Sequence, residues 1–225
     1  MANKKTPKKK SNRQPLIIGI VVLIIIVIAA YAVIRSPGSQ TANQSTNLTP
    51  TSTTSPTTTA ASYTNGTKVL FQTSMGNITI QLRTDKPITT ANFLNIVQKG
   101  WYDGTTFHRI IAGFMIQGGA INQTVQPIKD EIGTNNHNTK YTIAMAKTSS
   151  PNSATSEFFI NVADNSGITY QDGSTFDGTY TVFGTVISGQ NVVDAIANVP
   201  VTTNSMGENS QPIQPVTLIK ASITS

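Results

Sequence analysis

Phe107-His108-Arg109-Ile110-Ile111-Ala112-Gly113-Phe114-Met115-Ile116-Gln117-Gly118-Gly119-Ala120 is the stretch whose reading decides the fold. The β-branched pair Ile110-Ile111 and the large apolar Phe114 and Met115 favour a pleated, half-buried surface, and Gly118-Gly119 breaks the run. Side chains alternate between the faces of a strand, so the pattern puts Arg109 with Ile111 and Met115 with Gln117. One cation, one amide and an apolar wall are expected close together.

On the N-terminal side, Val69-Leu70-Phe71-Gln72-Thr73 and Asn77-Ile78-Thr79-Ile80-Gln81-Leu82 are β-rich runs around Ser74-Met75-Gly76, the pattern of a hairpin. The period then changes. Pro87 suits a first helical turn, Asp85 sits near its positive end, and Ile88, Ala91, Leu94 and Val97 recur at helical spacing before Gly100, which predicts a helix over 87–99. On the C-terminal side, 141–146, 157–162, 180–186 and 216–223 are strand candidates, and 191–199 carries Val192, Val193, Ile196 and Val199 at helical spacing. Many strands with two separated helices argue for an antiparallel barrel or sandwich with helical caps. Trp101 and Tyr102 are expected in its core, and His137 and Asp130-Glu131 in solvated loops.

The first third of the chain has a different composition. Seven basic and no acidic side chains occur up to Arg35; nine basic and ten acidic ones follow, so the net charge of +6 belongs to the N-terminus. The high isoelectric point is therefore no argument for nucleic-acid binding by the folded part. Residues 1–15 read as a basic cytoplasmic tail. Residues 16–34 (LIIGIVVLIIIVIAAYAVI) hold no charge and would reach roughly 28 Å as a helix, enough to span a bilayer. A cleaved signal peptide ending near Ala30-Tyr31-Ala32 is the competing reading; the apolar run continuing to Ile34 favours an uncleaved anchor. By the positive-inside tendency the rest of the chain lies outside the cytoplasm. Residues 35–66, rich in Ser, Thr and Pro, cannot bury enough apolar surface to offset their ordering entropy and read as a disordered tether. Residues 67–225 have the size of one domain. The absence of cysteine fits an exported domain without disulfides.

The segments FHRIIAGFMIQGG, YTIAMA, SEFFINVAD and FDGTYTVFGTVISGQNVVDAI resemble, in order, the signature segments of the cyclophilin family of peptidyl-prolyl cis-trans isomerases. The resemblance covers essentially all of 67–225. It implies a mainly β fold, an eight-stranded antiparallel β-barrel capped by two α-helices; the transmembrane helix expected before it lies outside the resemblance. It also implies a proline-binding groove on the barrel's outer face. On that resemblance Arg109 is the catalytic residue and Phe114, Met115, Phe159 and Phe176 form the proline pocket. Gln117 and the backbone at Ala146-Lys147 hold the substrate chain, with His108 and Tyr180 bordering the groove. The sequence departs from the family pattern at Ala112 (usually proline), Ala120 (commonly aspartate), Lys147 (usually asparagine), Glu157 (usually glutamine) and in the length of the 167–178 loop. Glu157 and Lys147 are expected beside the groove, where pairing between them would alter which residues flank the bound proline.

The reaction implied needs no cofactor or metal. There is no Gly-x-Ser-x-Gly elbow, no His-x-x-x-His or cysteine metal spacing, and no phosphate-binding glycine loop. Two readings remain. One is a monomeric, membrane-tethered isomerase acting outside the cytoplasmic membrane on proline-containing peptides and unfolded exported proteins. The other is a proline-peptide binding or scaffolding module with little turnover. Arg109 favours the first, since binding alone does not require the cation.

Overall fold

The computed structural model describes residues 66–224. The segments expected at 1–15, 16–34 and, save for Gly66, 35–66 lie outside the described residues. Among those described, no helix is long and apolar enough to cross a membrane.

The expected first hairpin forms from β1 (Lys68–Thr73) and β2 (Gly76–Leu82), with Val69, Phe71, Ile78 and Ile80 fully buried on one face. Helix α1 (Pro87–Gln98) follows, and Pro87 opens it as anticipated. Its N-terminal carboxylate is not Asp85, which is held by Arg83 at 2.8 and 2.6 Å. Glu131 takes that place, accepting from the N–H groups of Ile88 (3.1 Å) and Thr89 (2.8 Å). At the other end Gly100, at φ 65°, donates to Val97, and Trp101 to Ile96, the paired bonds of a Schellman turn.

The next strands are short: β3 (Thr105–Thr106), β4 (Arg109–Ile111), β5 (Met115–Gly118), β6 (Thr142–Met145) and β7 (Phe158–Asn161). After them come β8 (Val182–Ser188), α2 (Gln190–Ala197), β9 (Val201–Thr203), β10 (Asn209–Pro212) and β11 (Thr217–Thr224). The opening stretch of sequence is thus a hairpin, not one strand: Gly113, at φ 73°, turns the chain between β4 and β5. Arg109 consequently stands opposite Gln117, and Ile111 opposite Met115.

Nine strands form one antiparallel sheet in the order β3-β11-β1-β2-β8-β6-β7-β5-β4, while β9 and β10 pair separately. The two edge strands are consecutive in the chain. Thr106 and Arg109 are three residues apart and so at most about 10 Å from each other, which obliges the sheet to curl until its edges meet. The expected eight-stranded barrel is therefore a nine-stranded curled sheet, joined at its edges by Phe107-His108 and not by a continuous ladder. The N–H of Phe107 goes to the Val216 carbonyl, which keeps this link on the β11 side.

Alternation along the strands sorts neighbouring residues into two apolar clusters. Ile116, Ile143, Met145, Phe158 and Phe183 belong to the interior core; Met115, Ala144, Phe159 and Val182 belong to a second cluster on the opposite face. The interior is built around aromatic rings. Phe93 lies 5.0 Å from Phe183 and 5.3 Å from Tyr102, and Phe158 lies 5.3 Å from Phe71, centroid to centroid. Tyr102 is buried and donates to the Ser156 carbonyl at 2.8 Å, while Trp101 packs half-buried against the core, both as expected.

Candidate active site

The β4–β5 hairpin fixes the site because it sets a cation opposite an amide. Arg109 is only 4% exposed, an expensive place for a charge unless a partner is supplied. The partner is Glu208, 5% exposed, in the turn before β10. Its two oxygens accept from Nε at 2.6 Å and from Nη2 at 2.7 Å, a bidentate grip on one edge of the guanidinium. Nη1 reaches Gln117 Oε1 at 3.3 Å and the Met115 sulfur at 3.8 Å.

Gln117 continues the polar row by donating from Nε2 to Glu157 at 2.8 Å. A guanidinium only donates and a carboxylate only accepts, so the amide of Gln117 has one satisfied orientation, oxygen toward Arg109. Glutamate at 157, in place of the family's glutamine, thereby fixes the direction of Gln117. His108 stands at the end of the row, its Nε2 3.4 Å from Glu157. Burial pushes the Glu157 carboxyl up, but the imidazole of His108 and the amide of Gln117 outweigh it and hold the group below the usual glutamate range.

Beside this row lies the second apolar cluster. Phe114, Met115, Ala144, Phe159, Phe176, Tyr180 and Val182 form it, with Ile111, Ala146, Ile168 and Tyr170 at its margin. Phe176, whose assignment depended on a loop of unexpected length, is in its middle. Its ring is 5.6 Å from Phe114, 5.7 Å from Phe159 and 4.7 Å from Tyr180. Tyr180 is buried in the cluster, and burial raises its hydroxyl pKa even though Tyr170 and Arg109 act against it.

Buried asparagines hold the loops that carry these rings. Asn165 donates to the Phe114 carbonyl at 2.9 Å and to Asn161 at 2.7 Å. Asn136 donates to the Tyr180 carbonyl and accepts from the Val182 N–H, both at 2.8 Å. Asp177 accepts from the N–H of Asn138 at 2.7 Å and also meets exposed His137 at 3.0 Å.

Two expectations need correction. Lys147 does not pair with Glu157; it donates to Asp130 at 2.9 Å, and both side chains are largely buried. Asp130-Glu131 is accordingly no solvated loop. Adjacent carboxylates point apart, and each found a different partner: one a lysine, the other a helix N-terminus. The N–H of Ala146 is spent on the Glu157 carbonyl at 2.9 Å, so that N–H is not available to a bound chain. The site residues missed in the sequence are Glu208 and the asparagines. Glu208 lies in a polar, featureless run 99 residues after Arg109, and only the β9–β10 pairing brings it there.

Among the described residues there is no group of His, Asp and Glu side chains suited to a metal. A cleft of about 440 Å³ lined by Gly66, Gln81, Leu82, Arg83, Thr84, Asp85 and Thr185 shares no residue with the Arg109 site.

The family model described as cyclophilin type peptidyl-prolyl cis-trans isomerase/CLD matches residues 68–223. A peptidyl-prolyl cis-trans isomerase of Acinetobacter baylyi is 48% identical over 166 residues, covering 71% of this chain and 86% of its own. One from Streptomyces antibioticus is 44% identical over 162 residues, covering 69% and 97%. Among solved structures, a cyclophilin type isomerase of Cryptosporidium parvum superposes with a TM-score of 0.60 at 25% identity, over 72% of this chain and 99% of that one. A structure of that protein in the presence of the dipeptide Ala-Pro gives 0.59 at 26% identity, over 70% and 99%. A match spanning nearly the whole described domain, with relatives at identities approaching one half, assigns the chain to the cyclophilin-type peptidyl-prolyl cis-trans isomerases, a family of enzymes.

Proposed function

We propose that this chain isomerises X-Pro bonds by donating a hydrogen bond from Arg109 to the prolyl nitrogen, and that it does so on exported proteins outside the membrane. Rotation about X-Pro faces a barrier of about 18–20 kcal/mol because amide resonance is lost, whereas the end states differ by only about 0.5–1 kcal/mol. As the bond twists, the prolyl nitrogen regains its lone pair and becomes an acceptor. A donor fixed at that point stabilises the twisted state more than either planar one, which is what raises kcat. No nucleophile or proton transfer is needed.

The observation that carries the reading is the guanidinium itself: buried, held along one edge, and bonded beside Met115 at the border of an aromatic cluster. Phe114, Met115, Phe159 and Phe176 would take the proline ring, and Tyr180 and His108 would flank it. Gln117, the Ala146 carbonyl and the Lys147 backbone would hold the chain on either side. The Ala-Pro dipeptide named for the Cryptosporidium protein supports a small residue before proline in the test peptide. The extracytoplasmic setting rests on the basic residues before Leu16 and the uncharged run to Ile34.

The test is cis-trans exchange in an Ala-Pro-Phe-type peptide, followed by NMR, with the full chain in mild detergent and with its Arg109→Ala form. Acceleration by the parent and a loss of about tenfold or more in the variant supports the proposal. Peptide binding without acceleration identifies a recognition module instead.

A further inference from the structure

Arg109 has five N–H donors, and their allocation is unequal. Glu208 takes Nε–H and one N–H of Nη2 at 2.6 and 2.7 Å, a geometry that fixes both the plane and the direction of the guanidinium. Nη1 has only the longer contacts to Gln117 (3.3 Å) and the Met115 sulfur (3.8 Å). The end of the fork formed by Nη1 and Nη2 is therefore the part left for a ligand. Glu208 is itself anchored. It sits in a turn where Asn204 N–H donates to the Glu208 carbonyl at 2.8 Å and Asn204 Oδ1 accepts from the Glu208 N–H at 3.0 Å. The adjoining β10 packs on β4, the strand of Arg109.

We propose that Glu208 is a positioning residue for isomerisation: it aims the Nη1–Nη2 end of Arg109 at the prolyl nitrogen, which makes the β9–β10 hairpin part of the catalytic apparatus. The inference rests on the reading of Arg109 as the donor. A counter-ion that merely allowed Arg109 to be buried would affect stability. One that aims the donor acts in the twisted state, where placement governs rate, and so acts on kcat more than on KM.

The full chain and its Glu208→Gln, Glu208→Ala and Arg109→Ala forms are compared by NMR exchange at limiting and saturating Ala-Pro-Phe-type peptide, at a temperature where each is shown to be folded. Glu208→Gln keeps the shape of the side chain and loses its charge. The expected result is a kcat lower by about tenfold in Glu208→Ala and by less in Glu208→Gln, with KM within about twofold, and an Arg109 Nε–H resonance that exchanges faster with solvent. Asn204→Ala loosens the turn without removing the carboxylate. It is expected to lower kcat by about threefold, and it decides the matter if the Glu208 variants do not fold. A folded Glu208→Gln or Asn204→Ala protein with the parent kcat, beside an inactive Arg109→Ala, overturns the role of Glu208 alone. An Arg109→Ala protein that retains the parent rate overturns the reading of Arg109, and the positioning role with it.

Discussion

The two apolar clusters draw alternate residues from the same strands, yet they are built to different ends. Phe158 and Phe159 are adjacent and both buried. Phe158 enters an interior where Phe93, Tyr102 and Phe107 meet it edge to face and Phe71 lies against it at a tilt. Phe159 enters a cluster bounded by Tyr180, Phe176 and a row of hydrogen-bonded polar groups. The interior is held mainly by ring packing, with one buried hydrogen bond from the Tyr102 hydroxyl to the Ser156 carbonyl. The outer cluster is held from its loops by asparagine side chains, and it borders a buried ion pair. If the outer cluster admits a ligand, as proposed, it cannot rely on its own close packing, and hydrogen bonds from behind would impose its shape.

The largest expected effect tests that contrast directly. Phe158→Ala should cost about 3–5 kcal/mol in urea unfolding, because it opens a cavity among rings that have nowhere to move. Phe159→Ala should cost about 3 kcal/mol, at the low end of the same range, and should in addition weaken peptide binding measured by NMR titration. If Phe159→Ala binds peptide as the parent does, the division into core and pocket fails.

A smaller effect is expected at Asn165. Asn165→Ala leaves Asn161 Oδ1 without its donor, removes one of the two donors to the Phe114 carbonyl, which keeps the Val162 N–H, and should cost about 1–3 kcal/mol. Since Phe114 belongs to the outer cluster only, this variant should raise KM more than a core substitution of equal cost. Equal KM values at equal stability would show that the asparagines support the fold and not the pocket.

The smallest effect concerns pH. Glu157 has its carboxyl pKa held low in the folded chain, so the folded state binds fewer protons than the unfolded one in that range. Its contribution is complete above the unfolded value of about 4.3 and is lost as pH falls through the folded value. Glu157→Gln should therefore flatten the acid limb of the stability profile below about pH 4.3 and lower stability slightly at neutral pH. Parallel acid limbs for parent and variant would contradict the pairing with His108 and Gln117.

Much of this arrangement can be read along the chain, and what cannot has a physical cause. The β1–β2 hairpin, α1 with Gly100 behind it, and the strands carrying Thr142, Phe158 and Val182 are all stated by local periodicity and turn chemistry. The β4–β5 turn looks like continuous strand in sequence because Phe114 and Met115 follow Gly113 with good β character; the positive φ of that glycine is visible only in three dimensions. β3 and β9 are too short, and β10 too polar, to show a period. Partnerships are hardest. Asp130, Glu131, Lys147 and Glu208 carry obvious charge, but nothing near them in sequence says which charge or helix end they will meet. The candidate site residues are named by their family motif, and the structure brings Arg109, Gln117 and the rings of Phe114, Phe159 and Phe176 together. The carboxylate that grips Arg109 is not so named, because it belongs to no motif and comes from a separate hairpin.

The most direct measurement is kcat for Arg109→Lys in NMR peptide exchange with the full chain, beside its peptide affinity. Lysine keeps the charge and loses the rigid fork that Glu208 holds by one edge and whose other end, in the proposed mechanism, meets the prolyl nitrogen. The proposed mechanism predicts a kcat lower by about tenfold or more with affinity nearly unchanged. A lysine variant that turns over at the parent rate would show that a positive charge suffices, and that the aimed guanidinium is not what lowers the barrier.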